Sequence, residues 1–315
     1  MCELVAKINP FALKILDAFW PGPLTIVLPK KPIIPFNTCA GLSTVAVRAP
    51  NHKSFREVLK KVNAPIAAPS ANRSNKVSPT TAGHVLHNFG KVLIFAAHAD
   101  DETLGMGGTI ALMRNEGHDV IVAILTGHGE EEHPLWPREK WDIVREEAHE
   151  AAKVLDISEL IFRELPAACL DSVPSWEINS EVNDIIQQVQ PDEIYIPFFY
   201  DLHGDHNAIT YAALVAARPY LDNSRFIKRI LAYETLSETH LNYSNTNKSF
   251  EPNVYVNISN TLEKKINAFN KYKSQLQKNN QPRSSENIKN LARLRGAHIG
   301  CFAAEAFVLL GEFIR

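Results

Sequence analysis

Two short clusters of histidine and acidic residues carry the side chains best suited to catalysis. The first runs from His98 to Glu102 and joins one imidazole to three carboxylates, and the second, from Asp201 to His206, holds two histidines and two aspartates. Histidine and aspartate both bind zinc, and a catalytic zinc site uses three protein ligands and leaves a fourth position open. Two histidines and one aspartate drawn from both clusters would meet that requirement.

A simpler interpretation of each cluster is local. Asp100 and Asp101 could cap the helix that follows them, and Asp205 could cap a helix beginning near Asn207. For either cluster alone this interpretation is favoured, because such pairs in loops more often form hydrogen-bonded turns. Together, however, the clusters gather carboxylates and imidazoles that would be costly to assemble without a cation. The combination therefore predicts a metal site.

The predicted elements around the clusters would bring them together. Apolar runs typical of buried parallel strands cover residues 92–97 and 193–197, just before the two clusters. Between them the sequence predicts an alternation of helices and strands: helix 106–115, strand 120–125, helix 138–155, strand 160–163 and helix 178–188. This alternation indicates a doubly wound, mostly parallel α/β (Rossmann-like) sheet, which binds ligands beyond the carboxyl ends of its strands. The clusters can converge if their strands are near neighbours.

Residues 1–90 have a different pattern, with many prolines and short apolar runs. A helix is predicted over 11–20, and strands are predicted over 24–28, 44–48 and 65–68. We therefore expect two parts, residues 1–90 and residues 91–315.

Composition limits the possible partners and location. The net charge of −2 leaves no broad basic field, so nucleic acid is not an expected partner. No apolar run approaches the ~20 residues of a membrane span, so membrane insertion is not expected. The four cysteines are far apart and the N-terminus lacks a signal-peptide pattern, which indicates a cytoplasmic protein with reduced thiols. Nothing indicates the oligomeric state.

Seven basic residues lie between Lys271 and Arg295, among them Arg283. A solvated helix face is the expected arrangement for such a group. The alternative is the rim of a pocket that attracts an anionic substrate.

The segment from Ala97 to Glu102, together with the later His203-Gly204-Asp205-His206, resembles the LmbE/PIG-L family of zinc-dependent N-acetylglucosaminyl deacetylases. The similarity extends over most of residues 91–315. It also includes Gly107-Gly108-Thr109, Arg145-Glu146-Glu147-Ala148, Arg295-Gly296 and Ala304-Glu305-Ala306-Phe307. The resemblance implies the LmbE/PIG-L type of α/β sheet.

The resemblance also implies a ligand set. His98, Asp101 and His206 would bind zinc, with Fe²⁺ as an alternative metal. Ala99 stands where the family usually has proline, so the loop loses a fixed φ angle but no ligand. Metal affinity would be slightly weaker, with the chemistry intact.

Further roles are carried over in the same way. Asp100 would be the general base that activates water at the metal, and His203 would stabilise the oxyanion or protonate the leaving amine. Arg145 would contact the sugar, and Asp205 would orient a neighbouring group. The substrate implied is a small N-acetylated sugar or sugar conjugate, from which acetate is released.

Three motifs in the first part, residues 19–25, 45–52 and 69–74, resemble the YrdC/Sua5 family, whose members make threonylcarbamoyladenylate from threonine, bicarbonate and ATP. By that resemblance Arg48, Ser70 and Asn72 would contact nucleotide or substrate. The family's earlier basic motif and threonine-binding strands have no counterpart here, and Asn75 replaces a usual glycine. We therefore expect an incomplete α/β segment with a vestigial nucleotide site.

The leading prediction is a deacetylase preceded by this partial segment. One alternative is a nucleotide- or RNA-binding protein related to threonylcarbamoyladenylate synthase, working through its N-terminal part. Another is a catalytically silent sugar-binding module. The full set of His98, Asp100, Asp101, His203 and His206 favours the enzyme.

Overall fold

The computed structural model describes residues 6–39, 41–67, 90–129, 133, 135–241 and 249–314. Its contacts divide the chain into two compact units, residues 1–72 and 73–315. Within the described residues, no helix is both long enough and apolar enough to cross a membrane.

Among its described residues, the first unit contains an antiparallel strand pair and two α-helices. Helix α1 (Pro10–Phe19) begins after Asn9, whose Oδ1 accepts the N–H of Ala12 at 2.7 Å. Strands β1 (Thr25–Pro29) and β2 (Thr44–Arg48) pair with each other, and helix α2 (Lys53–Val62) follows. These elements agree with the predicted helix 11–20 and strands 24–28 and 44–48. Residues 65–67, predicted as strand, form none.

A seven-stranded sheet forms the centre of the second unit. Its strands lie in the order β5 (Glu159–Pro166), β4 (Asp119–Gly127), β3 (Lys91–Ala96), β6 (Glu193–Pro197), β7 (Arg229–Tyr233), β9 (Ala304–Glu312) and β8 (Val254–Asn257). The first five are parallel, and β9 runs antiparallel to both of its neighbours. The predicted mostly parallel α/β sheet is therefore confirmed.

Helices cover both faces of this sheet, as a doubly wound fold requires. Leu93 and Phe95 of β3 pack into a core with α5 (Ser175–Val189) and α6 (Gly204–Ala216). The alternate residues of β3 pack into a second core on the opposite face. Four helices build that core: α3 (Asp101–Asn115), α4 (Arg138–Leu155), α7 (Leu262–Phe269) and α8 (Ser285–Ile299). β3 is therefore buried on both faces.

Helix α3 begins at Asp101, earlier than the predicted 106–115, and it is kinked at Met106, where φ is −147° and ψ is 23°. The kink frees backbone groups, and a buried ion pair binds them. Glu305 accepts the N–H groups of Gly108 and Thr109 at 3.0 and 2.6 Å. Lys265 Nζ donates to the Leu104 carbonyl at 2.7 Å and to Glu305 at 2.6 Å. This pair stabilises the broken helix that follows the first acidic cluster.

We expect Glu305→Leu to lower the free energy of unfolding by about 3–5 kcal/mol, because Lys265 would keep a buried charge without its partner. Urea unfolding measures the change. The matched control is Glu263→Ala, which removes the surface pair with Lys289 at 2.9 Å and should cost less than about 1 kcal/mol. Equal losses in the two variants would contradict the structural role given to the buried pair.

The late basic residues do not form one solvated face, so that expectation is wrong for two of them. Arg295 is only 8 % exposed. Its Nε and Nη2 atoms donate to both oxygens of Glu234, at 2.8 and 2.6 Å. Arg283 lines a cavity, where it pairs with the buried Asp100. Both guanidinium groups lie where buried carboxylates require a positive charge.

Candidate active site

The two acidic clusters meet at the carboxyl end of the sheet. Strands β3 and β6 are direct parallel neighbours, with Val92 opposite Glu193, so the loops after them lie side by side. The His98 ring lies 4.5 Å from the His203 ring and 5.6 Å from the His206 ring, measured between centroids. The convergence that the sequence left conditional is therefore present.

His98, Asp101 and His206 form a group that could hold a metal ion, since one ligand atom from each lies within 4.8 Å of the others. His98 Nδ1 lies 3.5 Å from Asp101 Oδ2, and His206 Nε2 lies 3.2 Å from the same oxygen. Asp101 and His206 are fully buried. Among the described residues, His206 Nε2 and Asp101 Oδ1 have no hydrogen-bond partner. Buried polar atoms of this kind fit a bound cation.

Each histidine of this group turns its other ring nitrogen towards a carboxylate. His98 Nε2 lies 3.0 Å from Asp205 Oδ2, and His206 Nδ1 lies 2.7 Å from Asp201 Oδ2. Such carboxylate partners fix the orientation of a metal-binding imidazole and raise its basicity. Both rings are thus held with one nitrogen facing the shared oxygen of Asp101.

A second possible group consists of His98, His203 and Asp205. Asp205 already accepts backbone N–H groups from Ala168 at 2.6 Å and Leu170 at 3.2 Å. Its oxygens therefore have hydrogen-bond donors, whereas Asp101 Oδ1 has none among the described residues. The first group is the better fit to a metal.

The electrostatics of the site favour positive charge. Burial lowers the pKa of His206, but the adjacent Asp101 and Asp201 outweigh burial and raise it to about 10. His98 shows the same balance: burial lowers its pKa, and hydrogen bonds with Asp101 and Asp205 raise it to about 9. Because a divalent cation satisfies the same carboxylates and needs neutral imidazoles as ligands, this charge pattern suits a metal.

Asp100 is held in a conformation that most residues avoid. Its φ of 127° lies in the region that favours glycine, and strain of this kind clusters at functional sites. The side chain is buried, and neither oxygen accepts a hydrogen bond from the described residues. Burial raises the pKa of Asp100 to about 7, against the lowering effect of Arg283. A carboxylate with a pKa near neutrality is suited to accept and release a proton.

Arg283 is the cation that faces Asp100, with Nη1 3.2 Å from Oδ2. The guanidinium is fixed from two other sides, by Ser237 Oγ at 3.2 Å and Gln275 Oε1 at 3.0 Å. It can therefore hold the Asp100 carboxylate in place.

His203 occupies the position before α6, and its Nδ1 accepts the N–H of Asp205 at 3.2 Å. The ring proton of the neutral form must then lie on Nε2. Burial and the nearby His98 lower the pKa of His203 to about 4. At neutral pH this side chain is an uncharged hydrogen-bond donor.

These groups open on a cavity of about 550 Å³, lined by His98, Asp100, His203 and Arg283 at one end. Arg145 lines it too and forms an ion pair with Glu164. Its guanidinium lies 5.2 Å from the centre of the Phe162 ring. The volume is typical of sites that bind small molecules.

The structure thus brings together the predicted residues of the second unit: His98, Asp100, Asp101, Arg145, His203, Asp205 and His206. Ser70 and Asn72 lie outside the described residues, and Arg48 is exposed, with Nε 3.4 Å from the Gly22 carbonyl. No role was predicted for Asp201, and Arg283 was placed only among the late basic residues, with a pocket rim as the alternative. Asp201 could have been found as the acidic residue that opens the second cluster, but Arg283 lies in a polar loop far along the chain with no motif to mark it.

Comparison with known families supports both resemblances. Residues 93–217 match the PIG-L family, described as GlcNAc-PI de-N-acetylase, and residues 1–121 match the Sua5/YciO/YrdC family, described as telomere recombination. The chain is 49% identical over 92 residues to a threonylcarbamoyl-AMP synthase of Pyrococcus abyssi, a match covering 29% of this chain and 27% of that protein. It therefore spans about a quarter of that relative's length.

Two further similarities are to proteins named as deacetylases. The chain is 28% identical over 191 residues to a probable N-acetyl-alpha-D-glucosaminyl L-malate deacetylase of Bacillus cereus, covering 58% of this chain and 83% of the relative. The solved N,N'-diacetylchitobiose deacetylase of Pyrococcus horikoshii matches with a TM-score of 0.56 and 22% identity. That match covers 82% of this chain and 92% of the other, and it supports the fold.

Proposed function

Since residues 93–217 form a PIG-L/LmbE domain, we propose that this protein is a metal-dependent hydrolase that removes the acetyl group from an N-acetylglucosamine-type sugar or conjugate. The observation that carries the proposal is the group formed by His98, Asp101 and His206, of which His98 also lines the cavity. The relatives named as deacetylases give the class of substrate. We assign the activity to residues 91–315.

Zinc is the metal we propose, held by His98, Asp101 and His206, with Fe²⁺ as the alternative. Two imidazoles and one carboxylate are the donor set of many catalytic zinc sites. When bound, the ion supplies Lewis acidity that polarises an amide carbonyl and acidifies water. Asp205 and Asp201 orient the two histidines through the hydrogen bonds described above.

Proton transfer is assigned to Asp100, and stabilisation of the oxyanion is assigned to His203. Asp100 accepts the proton of the attacking water, and Arg283 holds its carboxylate towards the cavity. His203, which is neutral, donates a hydrogen bond from Nε2 to the developing oxyanion, because its Nδ1 already accepts the N–H of Asp205. The proton that Asp100 takes from water passes to the leaving amine. Arg145, at the side of the cavity, contacts the hydroxyl groups of the sugar.

Acetate release measured beside metal content tests the proposal. We expect purified protein to hold about one divalent metal per chain and to release acetate from at least one member of a panel of N-acetylated sugars. Chelation should abolish the release, and added zinc should restore it. Sugar binding without acetate release from a metal-loaded protein would contradict the proposal and indicate a silent binding module.

The alternative activity belongs to residues 1–90, which we interpret as a partial YrdC/Sua5-like segment. The chain spans 27% of the synthase from Pyrococcus abyssi, so we propose no synthase activity for it. Threonine, bicarbonate and ATP incubated with the protein should then yield no threonylcarbamoyladenylate by mass spectrometry. Detection of threonylcarbamoyladenylate would support the alternative function of the N-terminal part.

A further inference from the structure

The cavity extends beyond the proposed reacting groups, along the first turns of α4. Trp141 and Arg145 are four residues apart and so share one face of this helix, and both line the cavity. Trp141 lies about one turn, roughly 6 Å along the axis, closer to the helix N-terminus than Arg145. The cavity wall therefore continues from the proposed sugar contact towards tryptophan side chains.

Two tryptophans make a fixed aromatic corner in this wall. The rings of Trp136 and Trp141 lie 5.7 Å apart at an interplanar angle of 81°. Trp136 also stacks on His133 at 5.5 Å and 18°. His133 is itself held by hydrogen bonds with the Ala167 carbonyl at 2.8 Å and the Leu135 N–H at 3.1 Å. The orientation of Trp136 is thus determined by its neighbours.

Both tryptophans have groups that a ligand could contact. Trp136 lines the cavity and keeps 38 % of its surface exposed. The buried indole N–H of Trp141 has no hydrogen-bond partner among the described residues, although buried tryptophans usually find one. Ile143 and Val144 line the same cavity, so this end is mainly apolar.

We infer that Trp136 and Trp141 form a second binding subsite, which takes a flat apolar face on the part of the substrate beyond the N-acetylated sugar. A second pyranose ring offers such a face through its C–H groups, and an aryl aglycone offers one directly. The inference rests on the proposed function, because the first sugar must occupy the end of the cavity near His98.

Turnover of three neutral probes by the full chain tests this subsite: N-acetylglucosamine, N,N'-diacetylchitobiose and 4-nitrophenyl N-acetyl-β-glucosaminide. Lys140 also lines the cavity. Because all three probes are neutral, its charge does not favour one probe over another. We expect Trp136→Ala to lower the preference for a larger probe over the monosaccharide, measured as the ratio of kcat/KM values, roughly 3- to 10-fold. Trp136→Phe should keep most of it.

The control is Trp176→Ala, which removes a tryptophan that is 70 % exposed on α5 and should leave the ratio unchanged. A loss limited to the disaccharide would identify a second sugar, and one limited to the aryl glycoside would identify an aromatic aglycone. An unchanged ratio in Trp136→Ala for both larger probes would overturn the subsite. If wild-type protein turns over none of the probes, the proposed function fails separately, and calorimetric binding of diacetylchitobiose to wild type and Trp136→Ala decides the inference.

Discussion

Replacing His206 by alanine is expected to remove the bound metal and reduce acetate release to background. His206 is fully buried, and its Nε2 faces Asp101 without a hydrogen bond from the described residues. Among the described residues, the second possible group of His98, His203 and Asp205 is a poor replacement, because Asp205 is engaged by two backbone N–H groups. Two remaining ligands do not make a stable zinc site. Elemental analysis and an acetate assay measure the two losses.

His298→Ala is the matched control for that change. His298 is exposed near the end of α8 and contacts Tyr255 Oη at 3.3 Å, so its removal tests the loss of a histidine as such. We expect full metal content and full turnover in this variant. Full metal occupancy in His206→Ala would show that the proposed ligand set is wrong.

Asp100→Asn and Asp101→Asn are expected to have different effects on metal content and kcat, although the residues are adjacent. Asp100→Asn should retain metal and lose roughly 10²- to 10⁴-fold in kcat, since the amide cannot accept the proton that we assign to the carboxylate. Asp101→Asn should instead lose metal, because a neutral amide replaces the proposed anionic ligand, whose Oδ2 lies beside both His98 and His206.

Metal content and kcat measured on both variants separate the two roles. Circular dichroism at the working temperature confirms that each variant is folded, so that a loss of kcat reports on chemistry. Equal metal loss in both variants would contradict the division of roles. A rate for Asp100→Asn within a few-fold of wild type would remove Asp100 as the base.

Much of the second unit follows from local sequence pattern. Strands 92–97 and 193–197 were predicted within a residue at each end, because a buried parallel strand needs a continuous apolar run that few other elements use. The helix over 138–155 coincides with α4. Helix α3 was predicted too short, because its first turn consists of Asp101, Glu102 and Thr103, polar residues that are buried in the fold, where Glu102 accepts a hydrogen bond from Tyr272.

The sequence by itself determined which side chains were available: two histidine–aspartate clusters, each placed directly after a buried strand. The order of the strands along the chain does not predict that β3 and β6 are neighbours, because β4 and β5 lie between them in sequence. In the sheet, β4 and β5 lie on the other side of β3. Only that adjacency turns two loops into one site.

The tertiary structure alone decided the partners that come from distant segments. Arg283 reaches Asp100 across more than 180 residues of chain, and Glu305 reaches Gly108 across almost 200. A buried carboxylate or a broken helix requires a compensating charge or hydrogen bond, but any basic or acidic residue that folding brings near can supply it. The need for a compensating charge or hydrogen bond can therefore be predicted from the local sequence. Which residue supplies it depends on the tertiary structure.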